Sequence, residues 1–119
     1  DVIQLCRRYG CPVICGAYTP TEILTAWEAG ADFVKVFPAD GLGPNYIKAV
    51  KAPLPQVEII PTGGVDLNTA ADFIKAGCAA VAAGSSLVSK KVLDTRNWAE
   101  LTATARKFVE VIARARGNG

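Results

Sequence analysis

The sequence has 119 residues, half of them hydrophobic and a fifth charged, enough for one domain of modest size with a sizeable core. The net charge is +2, with acidic and basic residues interleaved, and the basic group Arg106, Lys107, Arg114 and Arg116 fits a helix face, which argues against a nucleic-acid-binding protein. No apolar run approaches the ~20 residues of a membrane-spanning helix, and four cysteines without a C-x-x-C pair, in a sequence with no histidine, argue against a zinc site.

In chain order, Asp1 to Arg8 reads as the end of a helix, with Val2, Ile3 and Cys6 on one side and Gly10 as its left-handed cap. Pro12 to Cys15 is predicted to be a short strand and Gly16-Ala17-Tyr18 a loop. Thr19-Pro20-Thr21-Glu22 is a strong helix start: Thr19 caps, Pro20 suits the first helical position and Glu22 completes a capping box. That helix runs to about Ala29 and closes at Gly30. Phe33 to Pro38 follows as a β-strand, stopped by the proline. Pro44 opens a helix through about Lys51, and Ala52 to Pro55 is a proline-rich link. Val57 to Ile60 is the next strand, running into Pro61-Thr62-Gly63-Gly64. Asp66 caps a helix from about Leu67 to Ala76, and Gly77 ends it. Ala79 to Ala83 is read as a fourth strand of small residues, followed by Gly84-Ser85-Ser86. A long helix from about Trp98 to Arg114 closes the chain, with Leu101, Ala105, Phe108, Val109 and Ile112 as its apolar stripe. Gly117 to Gly119 is expected to fray.

Thr19–Gly30 and Asp66–Gly77 align without a gap at an offset of 47 residues, each a cap, a helix and an Ala-Gly end before a Val-containing strand. Repeated helix-then-strand grammar argues for a parallel α/β architecture. The sequence begins at Asp1 and contains no methionine, so it reads as a piece of a longer protein. Cysteines that look unpaired point to a reducing cytoplasm; Cys15 and Cys78 read as small core residues.

The strand Phe33-Val34-Lys35-Val36-Phe37 carries the one residue that does not fit its surroundings. Side chains alternate across a strand, so Phe33, Lys35 and Phe37 share one face and Val34 and Val36 the other. Both faces are otherwise apolar, as in a parallel sheet buried on both sides. A lysine there either reaches solvent or a carboxylate, or gives up its proton, because burial disfavours the charged form. The second alternative is the neutral amine that Schiff-base chemistry needs.

Ligands of parallel α/β folds bind at the C-terminal ends of the strands. Lys35 lies two residues before the end of its strand. Gly63-Gly64 and Gly84-Ser85 follow the last two predicted strands, where backbone N–H groups can approach an anion closely; Gly-Gly also serves ordinary tight turns. Thr62 can donate a hydroxyl to a substrate or merely cap a turn, and Phe37 walls a pocket or belongs to the core. Asp32, Asp40 and Glu58 stand on or beside strands, but none falls at an inward position near Lys35, so no general base is identified.

Val34-Lys35-Val36-Phe37-Pro38-Ala39, with Pro61-Thr62-Gly63-Gly64 and Gly84-Ser85 downstream and Thr19-Pro20-Thr21-Glu22 upstream, resembles the 2-keto-3-deoxy-6-phosphogluconate aldolases. The family includes 4-hydroxy-2-oxoglutarate and 2-keto-3-deoxy-6-phosphogalactonate aldolases. The resemblance covers nearly all of the chain. It implies a (β/α)8 barrel, usually in a trimer, of which residues 1–119 are the C-terminal part: about four βα units and a terminal helix. It implies reversible cleavage of a phosphorylated 2-keto-3-deoxy sugar acid to pyruvate and an aldehyde, with neither metal nor cofactor. On this resemblance Lys35 is the Schiff-base lysine, Phe37 the aromatic beside it, Thr62 the pocket threonine, and Gly63, Gly64, Gly84 and Ser85 the phosphate-binding positions. The family's Pro-Gly is replaced here by Cys15-Gly16, and its Gly-Gly-Ser by Ala83-Gly84-Ser85. Its catalytic glutamate and carboxylate-holding arginine precede the part that this sequence matches. Two other readings stand beside it: a phosphate-binding barrel lyase or isomerase that uses Lys35 only electrostatically, and an inactive half-barrel that needs a partner.

Overall fold

In the computed structural model, which describes residues 1–117, the lysine strand is the centre of the sheet. This strand, β2 (Phe33–Val36), pairs in parallel with β1 (Ile14–Ala17) on one side and β3 (Ile59–Pro61) on the other. The helices are α1 (Val2–Arg8), α2 (Pro20–Glu28), α3 (Gly43–Lys51), α4 (Ala70–Lys75), α5 (Lys90–Thr95) and α6 (Trp98–Ala115).

The register sets Gly16, Lys35 and Ile60 side by side, and Val34 between Cys15 and Ile59. Val34, Val36 and Ile59 are wholly buried, in one cluster with Ile23 and Ala26 of α2, Ile47 and Val50 of α3 and Phe73 of α4. The other face is covered only in part. Ile60 is buried there, but Phe33 and Lys35 are half-buried and Ile14 is 58% exposed. The expectation of a strand enclosed on both faces is therefore corrected: the helices cover one face, and Lys35 lies on the open one.

The capping box forms as predicted. Thr19 Oγ1 accepts the Glu22 N–H, and the Glu22 carboxylate accepts the N–H groups of Tyr18 and Thr19. These hydrogen bonds, led by the one from the Thr19 backbone, hold the Glu22 carboxyl below its ordinary range. The two segments that echo each other end alike. Gly30 (φ +100°) and Gly77 (φ +103°) both leave their helices in the left-handed region that favours glycine.

Several boundaries differ from the sequence reading. β1 begins at Ile14 and continues through Ala17, because Val13 is held by the α2–β2 turn. Its N–H donates to the Asp32 carboxylate (2.7 Å), and its carbonyl accepts from Asp32 and Phe33. β3 begins at Ile59, since the Val57 N–H is spent on Leu54 in the preceding turn. α4 begins at Ala70 rather than Leu67. Asp66 does cap, but through Oδ1 to the N–H groups of Asn68 and Thr69, which makes a turn before the helix. Residues 79–83 form no regular strand: the N–H groups of Ala79 and Ala82 donate to Ile59 and Pro61 of β3, and one Thr62–Ala82 bridge follows, with pairing on one side only. α5, capped by Ser89, was not foreseen. In α6, Phe108 is buried and Leu101, Ala105 and Ile112 are half-buried with Thr104 and Val111, but Val109 is 68% exposed and lies off the inward face. Of the expected frayed end, Asn118 and Gly119 lie outside the described residues. Among those residues no helix is long and apolar enough to cross a membrane.

Lys51 ties the α3–β3 link, donating from Nζ to the carbonyls of Pro55 (2.9 Å) and Val57 (2.8 Å). Lys51→Met keeps the apolar stem and removes both charge-assisted bonds. It is expected to lower stability by about 2 kcal/mol in a urea titration. Glu22 gives a pH signature. Its native pKa is lowered, so its stabilising effect is present above the ordinary glutamate range and lost as pH falls through the native value. Hydrogen exchange at the Tyr18 and Thr19 amides should accelerate, relative to intrinsic rates, over that window, and Glu22→Gln should remove the pH dependence.

Candidate active site

The hydrogen-bond ladder runs past the strands at their C-terminal ends. The Phe37 N–H donates to Ala17 (3.2 Å), the Thr62 N–H to Val36 (3.0 Å), and the Ala39 N–H to Thr62 (2.8 Å). These bonds set Phe37 and Thr62 beside each other just beyond β2 and β3. Phe37 is 54% exposed. The amine of Lys35, one turn of the alternation earlier on the same face, stands 4.9 Å from the centre of the Phe37 ring, within the range of a cation–π contact. The Lys35 side chain is half-buried on that open face.

Next to Phe37 lies a hollow of about 270 Å³, lined by residues 37, 62–66 and 84–86. It brings together six of the seven predicted site residues: Phe37, Thr62, Gly63, Gly64, Gly84 and Ser85. Lys35 is not in its wall and adjoins it through Phe37. The segment 84–88 makes one helical turn, with the Leu87 and Val88 N–H groups donating to Gly84. Among the described residues, the N–H groups of Gly63, Gly64, Gly84, Ser85 and Ser86 donate to no protein acceptor. Uncommitted amides at one hollow make an arrangement that favours an anion. The Thr62 Oγ1 is buried and has no hydrogen-bond partner among the described residues. A hydroxyl left so is costly unless a ligand completes it.

Val65, Asp66 and Ser86 also line the hollow and were not singled out as site residues. Ser86 Oγ donates to the Val65 carbonyl (2.6 Å), which joins the two loops. Asp66 is occupied as the cap already described, so its carboxylate is a structural acceptor. Ser86 follows Ser85 directly, but nothing in the sequence reveals its bond to Val65. Thr69 Oγ1 donates to the Gly64 carbonyl (2.9 Å) and accepts the Asp66 N–H (2.9 Å), fixing the loop. Elsewhere, the Tyr46 hydroxyl donates to the Tyr18 carbonyl (2.7 Å), and burial pushes its pKa up. Among the described residues no three of Cys, Asp and Glu converge to hold a metal ion.

Residues 1–104 match the family described as "KDPG and KHG aldolase". The chain is 46% identical over 113 residues to the 2-dehydro-3-deoxy-6-phosphogalactonate aldolase of Escherichia coli (strain K12), covering 94% of this chain and 55% of that protein. It is 33% identical over 112 residues to the 2-dehydro-3-deoxy-phosphogluconate aldolase of Haemophilus influenzae, covering 93% of this chain and 53% of that protein. A solved structure titled "Native KDPGal structure" superposes with a TM-score of 0.84 at 37% identity, over 98% of this chain and 55% of that one. The chain spans about half the length of the curated relatives that it matches.

The two loops respond differently to a methyl group. A Cβ at Gly64 (φ +67°) would fall 2.6 Å from Asp40 Cβ and 2.7 Å from Asp40 Cα, whereas one at Gly84 meets nothing within 4 Å. Gly64→Ala is expected to destabilise the fold by about 1–3 kcal/mol. Gly84→Ala should stay within about 0.5 kcal/mol of the parent. Thermal denaturation of the two variants side by side measures the difference.

Proposed function

The chain belongs to the KDPG and KHG aldolase family, and from this premise we propose that it carries the Schiff-base half of an aldolase site. In this reading residues 1–119 are the C-terminal part of one (β/α)8 barrel. The substrate is a 2-keto-3-deoxy-6-phospho sugar acid, cleaved to pyruvate and glyceraldehyde 3-phosphate; 4-hydroxy-2-oxoglutarate, giving pyruvate and glyoxylate, is a second candidate. The assembly is a homo-oligomer.

The observation that carries the proposal is the position of Lys35. It is a primary amine on the open face of the central strand, beside a hollow with uncommitted amides and a buried unpartnered hydroxyl. The deprotonated amine attacks the keto carbon, water leaves, and a protonated iminium forms on Nζ. The iminium withdraws the electron pair of the C3–C4 bond as that bond breaks, and the C4 hydroxyl loses its proton as the aldehyde departs. The resulting enamine takes a proton at C3, and water then hydrolyses the pyruvyl iminium and restores the amine. Phe37 covers one side of the amine and restricts water. Thr62 Oγ1 donates to a polar group of the substrate. The amides of Gly63, Gly64, Gly84 and Ser85 hold the phosphate. The base that takes the hydroxyl proton lies in the remaining part of the barrel.

Reduction with borohydride in the presence of pyruvate tests this reading. One pyruvyl-derived mass is expected on a peptide containing Lys35. Lys35→Ala should abolish the adduct and the cleavage activity of the complete enzyme. A label on Lys48, Lys51 or Lys75, or none, overturns the proposal. Inorganic phosphate, titrated by NMR, should move the amide signals of Gly63, Gly64, Gly84 and Ser85 together; shifts confined to other amides would remove the phosphate assignment.

A further inference from the structure

Three helices of the chain end in the same hydrogen-bonded motif. At the end of α2, the Gly30 N–H donates to Trp27 and the Ala31 N–H to Ala26. At the end of α4, the Gly77 N–H donates to Ile74 and the Cys78 N–H to Phe73. At the end of α1, the Gly10 N–H donates to Arg7 (3.1 Å) and the Cys11 N–H to Cys6 (2.9 Å). In this Schellman arrangement the long-range bond joins two residues whose side chains meet over the helix end. The pairs at α2 and α4 are apolar and buried: Ala26 with Ala31, and Phe73 with Cys78. At α1 the same two places hold two thiols. Both are free, Cys6 half-buried and Cys11 exposed.

We propose that Cys6 and Cys11 form a dithiol site, which small disulfides of the glutathione class oxidise to an intramolecular bridge. A 2.9 Å bond from the Cys11 N–H to the Cys6 carbonyl holds the two Cα atoms within about 7 Å of each other, inside the reach of a disulfide. Gly10, at φ +66°, supplies the turn that brings Cys11 back over the helix. The exposed Cys11 thiolate attacks one sulfur of the small disulfide, giving a mixed disulfide and one released thiol. The Cys6 thiolate then attacks the Cys11 sulfur and expels the second thiol. The two Cys protons end on the two released thiols, and the small disulfide is reduced as the pair is oxidised. Cys78 stays out of this exchange, because burial pushes its thiol up to about 12 and so suppresses the thiolate. The site stands apart from Lys35 and does not depend on the aldolase reading.

The test is treatment of the folded protein with glutathione disulfide, followed by intact mass and peptide mapping. The expected product has lost two hydrogens, carries no glutathione and yields one peptide pair linked through Cys6 and Cys11. Cys6→Ser should instead retain a stable glutathione adduct on Cys11. Phenylarsine oxide, which forms two As–S bonds and releases water, should bind once to the parent and to Cys15→Ser. It should bind at least tenfold more weakly to Cys6→Ser and Cys11→Ser. A bridge through Cys15 or Cys78, accumulation of mixed disulfides on the parent, or arsenical binding unchanged in Cys6→Ser would overturn the proposal.

Discussion

The alternation of β2 is the constraint on which the rest depends. Val34 and Val36 are wholly buried among the helices, and at about 25 cal/mol per Å² of apolar surface their burial fixes the strand's facing firmly. With those two turned inward, Lys35 has no choice but the opposite face. A one-residue slip would put an amine into the core and two valines into the open, so the register that stabilises the sheet is also the register that presents the amine. In the proposed reading, stability and chemistry are thus written into neighbouring residues of one strand, and neither can move without the other.

Above the strand ends, the same ladder that pairs the sheet continues into the loops and sets Phe37 against Thr62. The loops are held by specific contacts. Gly64 lies against Asp40 too closely for any side chain, Thr69 and Asp66 brace the turn, and Ser86 reaches back to Val65. A braced loop keeps its amides pointed in fixed directions before any ligand arrives, so little order need be imposed on binding. That argues for a pre-formed anion cradle over a loop that rearranges.

Much of this was legible from residue order. The capping box at Thr19–Glu22, the glycine ends at Gly30 and Gly77 and the face assignment of Lys35 are local, period-driven signals, and they were read correctly. Six candidate residues line one hollow because strand ends in parallel sheets converge. What was misread depends on tertiary partners. Residues 79–83 look like a strand but pair on one side only, and Val109 looks inward on an idealised helix yet sits one step off the buried line of α6. The openness of the Lys35 face was invisible as well, because a sequence pattern reports which residues could be covered and not whether anything covers them. Ser86 and its bond to Val65 connect residues 21 apart, beyond any local pattern.

The two ends of the sheet divide the labour. At the entry to the strands, the joints from α1 to β1 and α2 to β2, and the matching joint after α4, close the helix end with a Schellman pair that satisfies the last carbonyls. At the exit, among the described residues, amides of the Gly63-Gly64 and Gly84-Ser85 loops are left without protein acceptors, and a buried hydroxyl is left without a partner. A chain that satisfies its polar groups so consistently at one end has no folding reason to leave them open at the other. In the proposed reading, this unmet hydrogen-bonding capacity beside Lys35 serves a charged, oxygen-rich substrate.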